Sequence, residues 1–354
     1  MTTATIAAAA AAPALKRVPA RPRAISRWLF IIAALVFLMV VVGGITRLTE
    51  SGLSMVRWEP VSGIVPPLND QQWQAEFTAY KAYPEYQKLN RGMSLQEFKN
   101  IFFWEYLHRL IARLIGMAFA LPLLWFAWKR AIPKGYGWRL VGLFALGGLQ
   151  GAIGWWMVAS GLIDRPDVSH LRLATHLSAA LIILAGLVWT GLDMVALARD
   201  PAARPARYPA VMLPFTLILA LQIILGAFTA GLDAGYAFNT WPRMGGEWFP
   251  AGTPMLAPFW HNLFDNPVVV QFSHRTTAYL VVLAALFTAW IAARRGARTS
   301  AFELAGMIAI QFGLGIATIL SGVEIWIGVA HQAGAALLVI VTVRTAHRLG
   351  RRAP

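Results

Sequence analysis

Eight apolar segments, each long enough to cross a lipid bilayer, recur along this sequence. They lie near 28–47, 101–128, 137–160, 169–192, 209–231, 268–292, 302–323 and 325–346. A helix needs about 20 apolar residues to cross the hydrocarbon core, and lipid leaves no water to satisfy an unpaired backbone. The sequence therefore predicts an all-α integral membrane protein with eight transmembrane helices.

The composition agrees with this class and argues against others. Of the 354 residues, 58% are hydrophobic and only 13% are charged, whereas soluble proteins carry about 25% charged residues. The net charge of +15 is typical of cytoplasmic membrane loops, so we expect no nucleic-acid partner. The chain has no cysteine, which excludes disulfides and zinc–thiolate sites.

The loop charges predict the orientation. Lys and Arg collect in the N-terminal tail, in the loops after the second, fourth and sixth spans, and in the C-terminal tail. The other loops mix signs or lean acidic, so both termini are expected in the cytoplasm. Residues 1–27 place alanines before basic residues, the reverse of a secretory signal. They predict a disordered basic tail, with a short organellar transit peptide as the alternative, and 347–354 predict a second basic tail.

The even-numbered spans repeat in sequence. "LHRL" in the second span resembles "SHRT" in the sixth, and "THLS" in the fourth resembles "AHQA" in the eighth. This spacing predicts two pseudo-symmetric four-helix bundles, at 28–192 and 209–346, joined by a cytoplasmic linker at 193–208.

Three odd-numbered spans share a second pattern, a glutamine followed four residues later by a glycine. The pairs are Gln150 and Gly154, Gln222 and Gly226, and Gln311 and Gly315. A glycine lets helix backbones approach, and a buried amide hydrogen-bonds across helices. We interpret these pairs as helix packing.

Each even-numbered span carries one histidine six or seven residues after its predicted start. These are His108, His176, His274 and His331. All four would lie about 10 Å below the outer boundary. Two facing histidines on neighbouring helices suit the axial iron sites of a haem, whereas zinc or copper needs three or four ligands together. The pattern predicts two haem sites, one in each bundle. His170, His261 and His347 are expected to be structural or solvated.

The two predicted haem sites differ in one acidic residue. Glu105 precedes His108 by three residues and shares its helix face, and the matching residue in the second half is Gln271. A carboxyl group beside a haem can transfer protons. The alternative is an ion pair between Glu105 and Arg109. This asymmetry predicts one site for chemistry and one for a permanent cofactor or electron transfer.

The long outer loops also contain patterns. Trp73, Phe77 and Tyr80 repeat at helical spacing, which predicts an amphipathic helix on the membrane surface. Ser94 and Glu97 form a capping-box pattern that would start a helix running into the second span. Residues 232–267 are rich in Gly, Pro and aromatic residues and predict an ordered interfacial loop.

Several motifs together resemble one family. They are "GGITRLTESGLSMVRWEP" (43–60), "EYLHRLIARLIG" (105–116), "AGLDAGYAFNTWPRMGGEWFP" (230–250), "QFSHRTTAY" (271–279) and "AHQAGA" (330–335). The chain resembles the haem A synthases of mitochondria and α-proteobacteria. Other bacterial members carry a cysteine pair in the first outer loop, which this chain lacks.

The resemblance implies an activity and roles for residues. It implies oxidation of a ring methyl of haem O to a formyl group, giving haem A for cytochrome oxidase. It implies a permanent haem b held by His274 and His331, and substrate haem O held by His108 and His176. Glu105 would be the essential acid, base or charge-stabilising group.

The resemblance also implies a location and partners. It indicates the bacterial cytoplasmic (inner) membrane, with the mitochondrial inner membrane as the alternative. Haem O synthase, cytochrome oxidase assembly factors, membrane lipid and further copies of the chain are the implied partners. The histidine pattern alone also fits a diheme b-type cytochrome that transfers electrons, and an inverted-repeat transporter is a weaker alternative. Glu105, with no counterpart in the second half, favours the enzyme.

Overall fold

The computed structural model describes residues 20–57, 62–163 and 166–351. Within these ranges the chain is helical, with no β-strand, and eight helices are long and apolar enough to cross a membrane. The protein is therefore a multi-pass membrane protein of the predicted all-α class. Most of the predicted N-terminal tail, the last three residues and Asp164 in an outer loop lie outside the described residues.

The helices are numbered in chain order. They are α1 (Pro22–Leu48), α2 (Asp70–Lys81), α3 (Pro84–Lys88), α4 (Leu95–Trp128), α5 (Gly137–Gly161), α6 (His170–Arg199), α7 (Leu213–Gly231), α8 (Asn262–Asp265), α9 (Pro267–Arg294), α10 (Arg298–Leu320) and α11 (Ile325–Gly350). The short helices α2, α3 and α8 lie in the two long loops that the charge pattern predicts to be on the outer side. A 3-10 turn at Ala210–Met212 leads into α7.

Several helices are longer than the hydropathy of the sequence predicts. α1 begins at Pro22, so 22–27 are helical rather than part of a disordered tail. Proline suits the first helical turn because its missing N–H would have no helical partner there. α11 continues through 347–350 of the predicted C-terminal tail, and α6 continues into the predicted linker. Basic residues at these ends lower the local hydropathy, although their apolar stems pack readily along a helix.

The predicted amphipathic helix is confirmed as α2, but its apolar face contacts protein. Phe77 is 4% exposed and Tyr80 is fully buried. The rings of Phe77 and Phe98 stack with centroids 5.0 Å apart, and Trp73 meets Phe102 at 5.1 Å. The expectation that this face lies on the membrane is therefore wrong: an outward extension of α4 covers it.

That extension of α4 starts where the sequence predicts. The Ser94 hydroxyl accepts a hydrogen bond from Glu97 N, and the Glu97 carboxylate accepts one from Ser94 N at 2.7 Å. This capping box satisfies two N–H groups at the helix start. α4 therefore begins six residues before the predicted span.

The spanning helices contact one another across the two halves of the chain. α1 packs against α4, α6 and α11, and α5 and α7 pack against α6. In the second half, α9 packs against α7 and α10, and α10 packs against α11. One apolar cluster joins α1, α4 and α6 to Ala336 of α11. The two halves therefore share a continuous interface formed by α1, α6, α7 and α11.

A buried carboxylate ties three of these helices together near their predicted cytoplasmic ends. Asp193 on α6 is fully buried and accepts hydrogen bonds from Arg139 on α5 at 2.7 Å and from Ala206 N at 3.1 Å. His347 Nε2 on α11 lies 2.9 Å from the same carboxylate. Of the two roles considered for His347, solvated or structural, the structure shows the structural one.

Candidate functional site

His274 on α9 is held by a glutamine and a glycine one turn apart on α7. Gln222 Nε2 donates to the His274 carbonyl at 3.1 Å and lies 3.1 Å from the ring nitrogen Nδ1. A Cβ atom added to Gly226 would lie 3.0 Å from the ring carbon Cε1. The glutamine therefore fixes one edge of the imidazole, and the glycine makes room for it.

The same arrangement recurs at His176 and His331. It uses Gln150 and Gly154 on α5, and Gln311 and Gly315 on α10. Each glutamine nitrogen lies 3.2 Å from Nδ1 of its histidine. The cross-helix amide bonds expected from the sequence are therefore present. Their target is the histidine itself, so the Gln–Gly pairs hold side chains as well as pack helices.

His108 on α4 has the glycine but not the glutamine. A Cβ atom at Gly43 on α1 would lie 3.1 Å from the His108 ring carbon Cε1, as in the other three units. The His108 Nδ1 atom is buried and has no hydrogen-bond partner among the described residues. One turn before Gly43 the chain carries Met39. This fourth unit is not visible as a Gln–Gly repeat in the sequence, although the paired glycines at 43–44 mark the place.

In all four histidines the Nδ1 and Cε1 edge faces a glycine of the partner helix, so Nε2 is the ring nitrogen that could coordinate a metal ion. Within the described ranges, no residue hydrogen-bonds the Nε2 atom of any of these rings. The four histidines form two pairs: His108 is close enough to His176, and His274 to His331, for charges on the two rings to interact. Two imidazoles offering Nε2 from separate helices match the axial ligands of a haem iron. The residues present therefore fit two bis-histidine sites.

Glu105 lies one turn before His108 in a network that includes the first outer loop. It is 4% exposed. Its Oε2 atom accepts hydrogen bonds from Ser54 Oγ and Met55 N, both at 2.7 Å. Its Oε1 atom accepts one from Arg109 at 2.5 Å. The ion pair with Arg109, weighed as the alternative to a role in proton transfer, is therefore present.

The arginines that directly follow His108 and His274 bind backbone carbonyl groups of the two long loops. Arg109 donates to Met55 O at 2.7 Å and to Arg57 O at 3.0 Å. Arg275, which follows His274, donates to Phe238 O and Thr240 O, both at 2.7 Å. Each arginine thus bonds backbone carbonyls of the loop above its own histidine.

Gln271 takes the place of Glu105 in the second half. Its Nε2 atom donates to Phe238 O at 3.0 Å. The two positions therefore hold equivalent loops, one with a carboxylate that accepts hydrogen bonds and the other with a neutral amide that donates one. The asymmetry seen in the sequence is an asymmetry of charge at matching places.

Two other histidines share a partner in the outer loop. His170 Nε2 lies 3.4 Å from Asp265 Oδ1, and His261 Nδ1 lies 3.1 Å from Asp265 Oδ2. His170 is buried, and its ring meets Phe228 edge-on at 5.5 Å. Of the two roles expected, structural or solvated, His170 therefore has the structural one, whereas His261 is exposed as well as paired.

Helix α1 contacts histidine-bearing helices of both halves. Gly43 faces His108, and the next residue, Gly44, faces Gln332 on α11, where a Cβ atom would lie 3.2 Å from the amide. Gln332 also donates to Val40 O at 2.7 Å. Because Gln332 directly follows His331, α1 lies against both candidate sites.

Comparison with known proteins finds relatives that are similar over nearly the whole chain. A protein named heme A synthase from Rhizorhabdus wittichii is 58% identical over 331 residues, which cover 94% of this chain and 95% of the relative. Relatives of the same name are 53% identical in Sphingopyxis alaskensis, over 97% of each chain, and 47% identical in Parvibaculum lavamentivorans, over 96% of this chain and 98% of the relative. The COX15-CtaA family profile, described as cytochrome oxidase assembly protein, matches residues 26–343. The chain belongs to the COX15-CtaA family.

Proposed function

We propose that this protein is a haem A synthase, a membrane oxidoreductase that converts a ring methyl of haem O to a formyl group and so supplies haem A for cytochrome oxidase. The observation that carries the proposal is the similarity to relatives named heme A synthase over nearly the full length, joined to four histidines that each pack against a glycine of a neighbouring helix. The diheme electron-transfer alternative explains the histidines but not the single carboxylate at Glu105.

The two halves would have different occupants. His274 and His331 would ligate a permanent haem b, and both are supported by a glutamine at Nδ1. His108 and His176 would ligate the substrate haem O. The carboxylate beside the first pair and the amide beside the second support this division. Haem b, when bound, supplies a one-electron redox centre.

The residues of this chain would contribute positioning and proton transfer. Gln222 and Gln311 orient the haem b ligands, because a partner at the second ring nitrogen fixes the ring of an iron-bound histidine. Oxidation of a methyl to a formyl adds one oxygen atom and removes four electrons, which an electron acceptor outside this chain must take up; with water as the oxygen source it also releases four protons. The Glu105 carboxylate would accept a proton from the substrate edge, and the hydrogen bond that Ser54 Oγ donates to it at 2.7 Å helps to hold it in place.

The same proposal includes a location and partners. The relatives named above are bacterial, which favours the bacterial inner membrane over the mitochondrial one. Haem O synthase would deliver the substrate, and cytochrome oxidase assembly factors would receive the product. Self-association of the chain belongs to the same set of expectations.

Pigment analysis after co-expression with haem O synthase tests the activity. We expect haem A, or hydroxylated haem O, to be extracted together with haem b from the purified protein. Two b-type haems with no oxidised haem O would favour the diheme cytochrome and overturn the proposal. As ligand controls, His331→Ala is expected to lose haem b, whereas His108→Ala is expected to keep haem b and lose the product.

A further inference from the structure

We propose that Met39 makes His108 the labile axial ligand of the four, so that the substrate haem can be exchanged while haem b stays bound. This inference rests on the proposed function, because it assigns the labile ligand to the substrate site. It concerns a positioning residue on α1 that acts through His108.

Each of the four histidines packs against an equivalent place on a neighbouring helix. At three of them a glutamine lies one turn before the glycine, and its nitrogen is 3.1–3.2 Å from the histidine Nδ1. At the fourth, the glycine is kept as Gly43 with the same close approach to the ring. The glutamine position is Met39, and the buried Nδ1 of His108 has no partner among the described residues. The unit has kept its packing and lost its polar contact.

The lost contact weakens a ligand in two ways. An imidazole that binds iron through Nε2 carries its proton on Nδ1, so the partner that orients it must accept a hydrogen bond. Each of the three glutamines has a buried amide oxygen with no partner among the described residues, which can turn to accept from Nδ1, and removing such a partner typically costs about 10–100-fold in affinity or activity. A methionine cannot replace the amide oxygen, because its thioether is a weak acceptor and sits on a flexible chain. His108 therefore keeps its position against α1 but has a freer ring than the other three.

A weakly held ligand suits a site whose occupant must leave after each catalytic cycle. A permanent cofactor gains from two firmly held ligands, and His274 and His331 both have their glutamine. A substrate must leave as product after each cycle. His176 is also held, by Gln150 at 3.2 Å. The substrate haem would thus stay tethered through His176 while its bond to His108 opens on the α1–α4 side.

Carbon monoxide binding to the reduced, detergent-purified holoprotein tests this directly. CO binds a bis-histidine haem only after one axial ligand has left, so its rate reports ligand release. We expect wild type to show a fast CO phase from the substrate haem and little reaction at haem b. Met39→Gln is expected to slow the fast phase by about 10-fold and to slow the transfer of haem O or haem A to excess apomyoglobin.

The matched control exchanges the residue at the equivalent place in the other half. Gln222→Met removes the amide beside His274, so haem b should acquire a fast CO phase of its own. Met39→Leu keeps an apolar side chain without adding a partner, and it should retain the wild-type rates. If Met39→Gln fails to fold, the comparison of Gln222→Met with Met39→Leu still tests the proposal. Only Gln222→Met removes a polar contact to a histidine, so only that variant should gain a fast CO phase.

Two results would overturn the inference. One is a Met39→Gln protein with wild-type CO and haem-transfer rates. The other is a Gln222→Met protein whose haem b does not react with CO. Failure of the proposed function would look different: His108→Ala would leave the number of haems per protein unchanged. If His108→Ala removes one haem and Met39→Gln still has no effect, the substrate site stands and only the inference about Met39 is wrong.

Discussion

Glu105 and Arg109 form a 2.5 Å ion pair one turn apart on α4, and both side chains also bind the first outer loop. The pair therefore has a structural use that does not depend on any bound haem. A role for Glu105 in catalysis has to be separated from this use by experiment.

Glu105→Gln makes that separation. The amide oxygen can still accept from Ser54 or Met55, so we expect the loop and haem b to be retained. A neutral amide cannot take up a proton, so haem A is expected to be lost. The measurement is haem extraction and chromatography with the haem b spectrum as reference. Ser54→Ala is the control that removes one loop bond but keeps the carboxylate, and it should still yield haem A. A Glu105→Gln protein that makes haem A at the wild-type rate would leave Glu105 with the loop role alone.

Gly315→Ala tests the glycines that face the histidines. A Cβ atom there would lie 3.0 Å from Cε1 of His331, closer than ordinary van der Waals contact, so the ring must tilt or move. We expect a lower haem b content and a shifted haem b absorbance. Gly313→Ala is the control on the same helix, because nothing lies within 4 Å of its added Cβ. Equal haem b content in the two variants would show that the close approach at Gly315 has no effect.

Asp193→Ala tests the carboxylate that joins α5, α6 and α11. It would leave Arg139 and the buried His347 without their partner. Leaving a buried polar group without its partner typically costs about 1–3 kcal/mol, and we expect a loss of this order in the free energy of unfolding, measured by titration with SDS. The control is Glu303→Gln, which breaks the half-exposed pair with Arg344 at 3.2 Å. That change should cost less than about 1 kcal/mol. Similar losses in both variants would contradict a special role for Asp193.

Glu85 in the first outer loop makes local stability depend on pH. Burial raises the pKa of the Glu85 carboxyl to about 8 from an ordinary 4.5, although a hydrogen bond from Tyr80 at 2.9 Å opposes the shift. The folded loop therefore holds this proton more tightly than the unfolded chain does. Its stabilising effect is fully present below about pH 4.5 and is lost as pH rises to about 8.

Limited proteolysis across that pH range measures the effect. We expect cleavage within α2 and α3 to increase from pH 5 to pH 8, because loss of the Glu85 proton destabilises the folded loop over that range. Glu85→Gln cannot titrate and should show a flatter pH profile after correction for the protease itself. The same slope in both proteins would mean that another group governs the loop.

The sequence predicts the spanning helices well because lipid imposes a strict length and polarity on them. It predicts their ends poorly. α1 and α11 continue past the apolar windows, since Arg23 and Arg348 lower the hydropathy without ending a helix. The capping box at Ser94 was predictable because it is a local pattern within four residues.

Contacts between distant parts of the chain could not be predicted in this way. The bond between Asp193 and His347 joins residues in different halves, and neither sits in a pattern that names the other. The four histidines were found from their repeat, but the residues that hold them were found only in part. Gln222 belongs to a Gln–Gly repeat that is visible in the sequence. Met39 occupies the equivalent position but is not a glutamine, so the sequence repeat does not reveal it. The sequence also leaves open whether Glu105 pairs with Arg109, because one helical turn allows the ion pair without requiring it.

The paired glycines of α1 have a mechanical consequence. Gly43 lies against the His108 ring and Gly44 against Gln332, beside His331, so one helix forms a wall of both sites. Any tilt or slide of α1 that widens the first site must also change its contact with α11 at the second. A displacement of α1 at the first candidate site would therefore be transmitted to the α1–α11 contact through a rigid helix, without a flexible loop between them.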